Sequence, residues 1–135
     1  MDGAAQPGAG PGARRSILVA DDDAGVRQLL AAFLGRSASV SVVADGTEAV
    51  AALASTTFHA VVSDFSMPGT NGLEVLQLAR KLLPDARLVL ISGALTDDLR
   101  TAGAHLGAEV IEKPFQPGTL TRLAGMCGCD ASPVA

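Results

Sequence analysis

Short apolar runs alternate along this chain with segments of helical period. The runs are Ile17 to Ala20, Val40 to Val43, Ala60 to Val62, Leu88 to Ile91, and Val110-Ile111. Most are continuous rather than alternating, the pattern of strands covered on both faces in a parallel sheet. Between them, apolar positions recur at i, i+3, i+4 and i+7. Val26, Leu29, Leu30, Phe33 and Leu34 form one stripe, stopped at Gly35. Asp45 with Glu48 predicts a capping pair for a helix through Val50 and Leu53. Val75, Leu78, Ala79 and Leu82 form a stripe that Pro84 ends, and Leu99, Ala102 and Leu106 form one closed by Gly107. Leu120, Leu123, Ala124 and Cys127 make the last. Five strands alternating with five helices, joined by right-handed crossovers, predict an open, doubly wound α/β parallel sheet. In such sheets chemistry sits beyond the carboxyl ends of the strands.

Composition narrows the class. The 135 residues are 48% hydrophobic and 18% charged, which suits one packed domain. Residues 1–14, rich in Gly, Ala and Pro, read as a flexible leader; 15–127 read as the folded domain and 128–135 as a flexible tail. The opening Met1 with its leader mildly favours a complete chain, and a piece cut from a longer protein stays open as the alternative. A net charge of −4, without a basic stripe, argues against nucleic acid as a partner. The apolar runs are too short to span a bilayer, and the first residues lack a signal-peptide pattern, so a cytoplasmic protein is expected. Cys127 and Cys129 are not spaced as a redox or zinc pair, and Cys127 lies on the apolar stripe of the last helix.

Four strand ends carry the candidate chemistry. The first strand runs into Asp21-Asp22-Asp23, the third into Asp64, the fourth into Ser92-Gly93 and the fifth into Glu112-Lys113-Pro114-Phe115. Taken singly, each has an ordinary explanation: Asp23 as a helix N-cap, Ser92-Gly93 as a turn, Lys113 as a solvated cation. Taken together they describe one site. Like charges about 4 Å apart repel by roughly 4 kcal/mol at an effective dielectric near 20, and Lys113 alone cannot balance three carboxylates. A divalent cation supplies the remainder, and an all-oxygen donor set selects a hard ion such as Mg²⁺. A carboxylate in such a site can act as a nucleophile toward phosphorus. In Val-Val-Ser-Asp-Phe-Ser-Met-Pro, an apolar strand holds Asp64 at its tip and Pro68 stiffens the loop behind it.

These residues, in this order and spacing, resemble the receiver domain of two-component response regulators, in a match running from about Ser16 to Gly125. It is carried by Asp21-Asp22, by Asp64 with Met67-Pro68 and Asn71-Gly72, by Ser92, and by Lys113-Pro114-Phe115. The resemblance implies a flavodoxin-like, five-stranded parallel sheet of order 2-1-3-4-5 with five helices. It implies that Asp64 accepts a phosphoryl group from a sensor histidine kinase or a histidine phosphotransfer protein. Asp22, Asp64 and the Ser66 carbonyl would hold Mg²⁺, with Asp21 acting mainly through a metal-bound water. Ser92 would be the switch hydroxyl, Lys113 the phosphoryl partner, and Lys113-Pro114 a cis bond. The output would be a downstream protein target, and any catalysis would be limited to the chain's own phosphorylation and dephosphorylation. Receivers commonly carry an aromatic residue three positions before the lysine; here it is Val110. The alternative is a small phosphatase of the haloacid-dehalogenase type, with Asp21 and Asp23 as its Asp-x-Asp. That reading gives Asp64 no task and lacks a later acidic pair.

Overall fold

The computed structural model describes residues 15–116 and 118–128. Five strands alternate with five helices: β1 (Arg15–Ala20), α1 (Ala24–Leu34), β2 (Ala38–Val43), α2 (Gly46–Ser55), β3 (Ala60–Asp64), α3 (Gly72–Leu82), β4 (Arg87–Ser92), α4 (Asp97–His105), β5 (Ala108–Glu112) and α5 (Thr119–Met126). The strands form one parallel sheet of order β2-β1-β3-β4-β5. This is the flavodoxin-like architecture expected from the sequence. The predicted leader, Cys129 and the tail from 129 onward lie outside the described residues.

The continuous apolar runs feed two cores. Ile17, Val19, Val62, Val89 and Ile91 face one layer, where Leu30 and Leu34 of α1 and Leu123 and Ala124 of α5 cover them. Leu18, Ala20, Val61, Leu88 and Leu90 face the other, covered by Ala49 and Leu53 of α2, Val75, Leu76 and Ala79 of α3, and Leu99 of α4. Successive side chains of a strand point to opposite faces, so an unbroken run is what two covered faces require. At the sheet edge β2 departs from this: Val42 is 44% exposed, because no further strand closes that side. Two stripe residues also lie outside the core. Leu29 is 43% and Leu82 46% exposed. The buried face of α1 centres on Leu30 and Leu34, and that of α3 on Val75, Leu76 and Ala79, which leaves both leucines at its margin. Cys127 is fully buried in the α1/α5 core.

Capping fixes where the helices start, and therefore where the strand-end loops stop. Asp23 caps α1, its carboxylate accepting from the Gly25 and Val26 N–H groups. Asp45 accepts from Glu48 N–H, while the Glu48 carboxylate reaches back to Ala44 N–H, one residue earlier than in the usual reciprocal box. Asn71 and Glu74 form the reciprocal box at α3.

Candidate functional site

The sheet register brings the strand ends together. Ala20 at the end of β1 pairs with Ser63 of β3, and Asp64 pairs with Ile91 of β4. Ser92 in turn pairs with Glu112 of β5. The residues just past each pair share one edge. Asp21 and Asp64 are buried there, at 1% and 5% exposure, whereas Asp22 is exposed. Their carboxylate oxygens include a set of three, one from each residue, lying within 4.8 Å of one another. Among the described residues this is the only group of three or more His, Cys, Asp or Glu side chains so placed.

Lys113 reaches into this group. Its Nζ lies 3.0 Å from Asp21 Oδ2 and 3.1 Å from Asp64 Oδ1. The Lys113 backbone N–H donates to the Ser92 carbonyl at 2.9 Å, which ties the end of β5 to the end of β4. The Lys113-Pro114 bond that follows is cis. Ser92 is buried, and its Oγ accepts from Ala94 N–H at 3.1 Å, so the hydroxyl proton remains available to a further acceptor.

The loop behind Asp64 is held at several points. Phe65 N–H donates to the Ile91 carbonyl, Gly72 N–H to the Phe65 carbonyl, and Gly46 N–H to the Pro68 carbonyl. Gly69 takes a φ of 79°, which suits a residue without a Cβ. A groove of about 450 Å³ opens between Asp22 on one side and Phe65, Ser66, Met67, Pro68 and Asn71 on the other. Ser66, exposed, therefore shares a groove with Asp22.

The acid–base state of the site follows from burial and neighbours. Burial pushes the Asp64 carboxyl above its ordinary value, Asp21 and Asp22 push the same way, and the Lys113 contact only partly offsets them. Burial would lower Lys113, but its contacts to Asp21 and Asp64 outweigh that and leave it raised. The ammonium is therefore retained through neutral pH. Its contribution to stability is complete below the ordinary value of 10.5 and is lost as pH rises through the higher folded value.

Lys113→Ala removes the one ammonium among the described residues within ion-pairing distance of Asp64. Without divalent cation, NMR titration of the Asp64 carboxyl carbon is expected to move to higher pH than in wild type. The rate of phosphoryl labelling is expected to fall about a hundredfold, as when a preorganised donor to developing charge is removed. A titration that stays in place would show that the ammonium does not set the ionisation of Asp64.

The site residues drawn from the sequence thus share one edge, with Asp23 set apart by its capping role. The chain's Asp-x-Asp is accordingly not a paired acid site: Asp23 is turned to the α1 N-terminus. Val110 is half-buried and packs against α4, where a Cβ added to Gly103 would lie 2.9 Å from Val110 Cγ2. Arg27 is a residue that the sequence reading missed. Its Nη1 donates to the Asp21 carbonyl at 2.8 Å. Nothing in a six-residue separation signals that contact until α1 turns the side chain back toward β1.

Comparison with known proteins accords with this geometry. The response regulator receiver domain family matches residues 17–124, and the chain belongs to that family. It is 34% identical over 109 residues to the DNA-binding response regulator MtrA of Mycobacterium tuberculosis, covering 79% of this chain and 47% of that protein. It is 38% identical over 101 residues to the response regulator MprA of Mycolicibacterium vanbaalenii, covering 73% of this chain and 44% of that one. The chain thus spans about half the length of the curated relatives it matches. Among solved structures it resembles the chemotaxis protein CheY4 of Vibrio cholerae, with a TM-score of 0.75 and 26% identity over 85% of this chain and 99% of that one. A CheY-like receiver domain protein from Methanospirillum hungatei shares the fold, with a TM-score of 0.76 and 24% identity over 83% of this chain and 91% of that one. The chain is a receiver domain of the two-component response regulator type, and the phosphatase alternative finds no support. Among the described residues no helix is long and apolar enough to cross a membrane.

Proposed function

We propose that Asp64 is the phosphoacceptor, taking a phosphoryl group from a sensor histidine kinase or a histidine phosphotransfer protein and signalling to a downstream protein. The observation that carries this reading is the Lys113 ammonium set between Asp21 and Asp64, at the edge where three carboxylates gather. In the transfer, an Asp64 carboxylate oxygen attacks phosphorus as the bond from phosphorus to the donor imidazole nitrogen breaks. The ring, protonated on its other nitrogen, leaves neutral, and an acyl phosphate remains. Lys113 meets the charge arriving on the phosphoryl oxygens, and the Ser92 O–H donates to one of them.

The donor set fits a hard divalent cation: three carboxylates with a single ammonium between two of them, and Ser66 lining the same groove as Asp22. Asp21, Asp22, Asp64 and Ser66 would hold Mg²⁺. When bound, it would offset the combined charge of the carboxylates and the phosphoryl oxygens. The charge of the whole chain favours proteins rather than nucleic acid as the partners of this receiver.

The test is intact-mass spectrometry after treatment with acetyl phosphate and Mg²⁺, alongside the same reaction in chelator. One phosphoryl adduct is expected on wild type, absent with chelator and retained at a lower level in Asp23→Asn. Loss of the adduct in Asp21→Asn with retention in Asp64→Asn would reinstate the phosphatase chemistry.

A further inference from the structure

We propose that Arg27 is a positioning residue for the acidic pair: by holding the Asp21 carbonyl it fixes the β1–α1 turn so that Asp21 and Asp22 meet a divalent cation together. The inference rests on the metal-binding role proposed above for those carboxylates.

Asp21 is the first residue beyond β1. Its N–H still joins the sheet edge, donating to the Val43 carbonyl at 3.2 Å. The last register pair is Ala20 with Val43, so the Asp21 carbonyl points past the end of the ladder. A backbone carbonyl in a buried residue needs a donor. Arg27 Nη1 supplies it at 2.8 Å. The other polar atoms of Asp21 are held independently: Oδ1 accepts from Asp23 N–H at 2.9 Å, and Oδ2 faces Lys113 Nζ at 3.0 Å. Of these fixings, only the carbonyl contact acts on the peptide unit that joins Asp21 to Asp22. Asp22 is exposed, and none of the described hydrogen bonds or ion pairs fixes its carboxylate. Its direction is therefore set through the backbone that Arg27 grips.

The placement of the arginine does not serve the helix. Arg27 N–H donates to the Asp23 carbonyl, which closes the first turn of α1. A cation there lies at the positive end of the helix dipole, where it costs a few tenths of a kcal/mol. A guanidinium in that position is accounted for by what it faces: a turn carrying acidic side chains next to a third carboxylate. It brings a charged donor to the turn, and one N–H of that donor is used, from Nη1 to the Asp21 carbonyl.

The experiment measures Mg²⁺ affinity on the full chain by calorimetry, without phosphodonor, together with thermal stability and the labelling rate at saturating Mg²⁺. In Arg27→Ala, Mg²⁺ binding is expected to weaken about tenfold, the size of a lost hydrogen bond from a charged donor. Labelling at saturating Mg²⁺ is expected to stay close to wild type. Arg27→Lys, which keeps charge and one donor, is expected to recover most of the affinity. Unchanged affinity in Arg27→Ala would overturn the proposal, as would affinity and saturating rate falling together with no recovery in Arg27→Lys. If Arg27→Ala does not fold, Arg27→Lys against Arg27→Met carries the test, and equal affinities in the two would overturn it. Wild type that binds no Mg²⁺ would instead remove the metal-binding reading beneath it.

Discussion

Asp64→Asn is expected to carry no phosphoryl adduct and, at neutral pH in chelator, to be more stable than wild type. Loss of the adduct follows because an amide oxygen is a poor nucleophile toward phosphorus. The gain in stability follows from the state of the carboxylate. Asp64 is buried beside two other acids, and Lys113 compensates them incompletely. Its carboxyl is raised above its ordinary value of 3.8, so the folded protein binds that proton more tightly than the unfolded chain does. The ionised form therefore works against folding. That penalty is absent below the ordinary value, grows as pH rises through the folded value, and is complete above it. Asparagine keeps the shape and removes the charge. A gain on the order of 1 kcal/mol, or ~4 °C in melting temperature, is expected near neutral pH, shrinking as pH falls through the raised folded value and absent below the ordinary 3.8. Melting curves across pH check this. A variant less stable than wild type at neutral pH would mean that the Lys113 contact outweighs burial and repulsion.

Gly46→Ala is expected to disrupt both stability and the cation site, although position 46 contributes no functional group. Gly46 opens α2, and its N–H donates to the Pro68 carbonyl. A Cβ there would lie 1.7 Å from the Thr70 carbonyl oxygen and 2.8 Å from Thr70 Cα. Those are backbone atoms of the loop behind Asp64, so relief requires the loop itself to move. A loss of about 3 kcal/mol is expected, at the upper end for overpacking. Displacement of the segment containing Ser66 is expected to weaken Mg²⁺ binding in whatever fraction remains folded. Gly125→Ala is the matched control: it lies within α5 with open space around it and is expected to stabilise by about 0.5 kcal/mol. Denaturant unfolding of the two variants separates the outcomes. Equal stabilities would show that the loop accommodates a methyl group.

The fold was legible in the sequence because both of its periods are. Runs such as Leu88 to Ile91 supply both cores at once, and the helical stripes identify their covers. What patterning could not separate was the middle of a stripe from its margin. Leu29 and Leu82 fit the helical spacing and yet face outward, whereas Leu76, omitted from the stripe, is fully buried. The angular centre of a buried face depends on how the helix is laid on the sheet, which is a tertiary quantity. The site was legible to the extent that its groups sit at strand ends, since topology alone gathers those. Residues that act on the site from within helices left no comparable mark. Arg27 gives one hydrogen bond to a carbonyl, and Gly46 gives a backbone N–H to Pro68 and the absence of a side chain; both depend on distances between loops. The change at Val110 was visible in the sequence, but its packing against Gly103 required the placement of α4.

The claim on which the account turns is that Asp64 is the residue that carries phosphate. Borohydride reduction of the acyl phosphate, followed by peptide mapping, tests it directly, because the reduction converts the modified aspartate to homoserine. After treatment of wild type with acetyl phosphate and Mg²⁺, homoserine is predicted at position 64 and at no other acidic residue. Homoserine at position 21, 22 or 23, with position 64 unmodified, would contradict it.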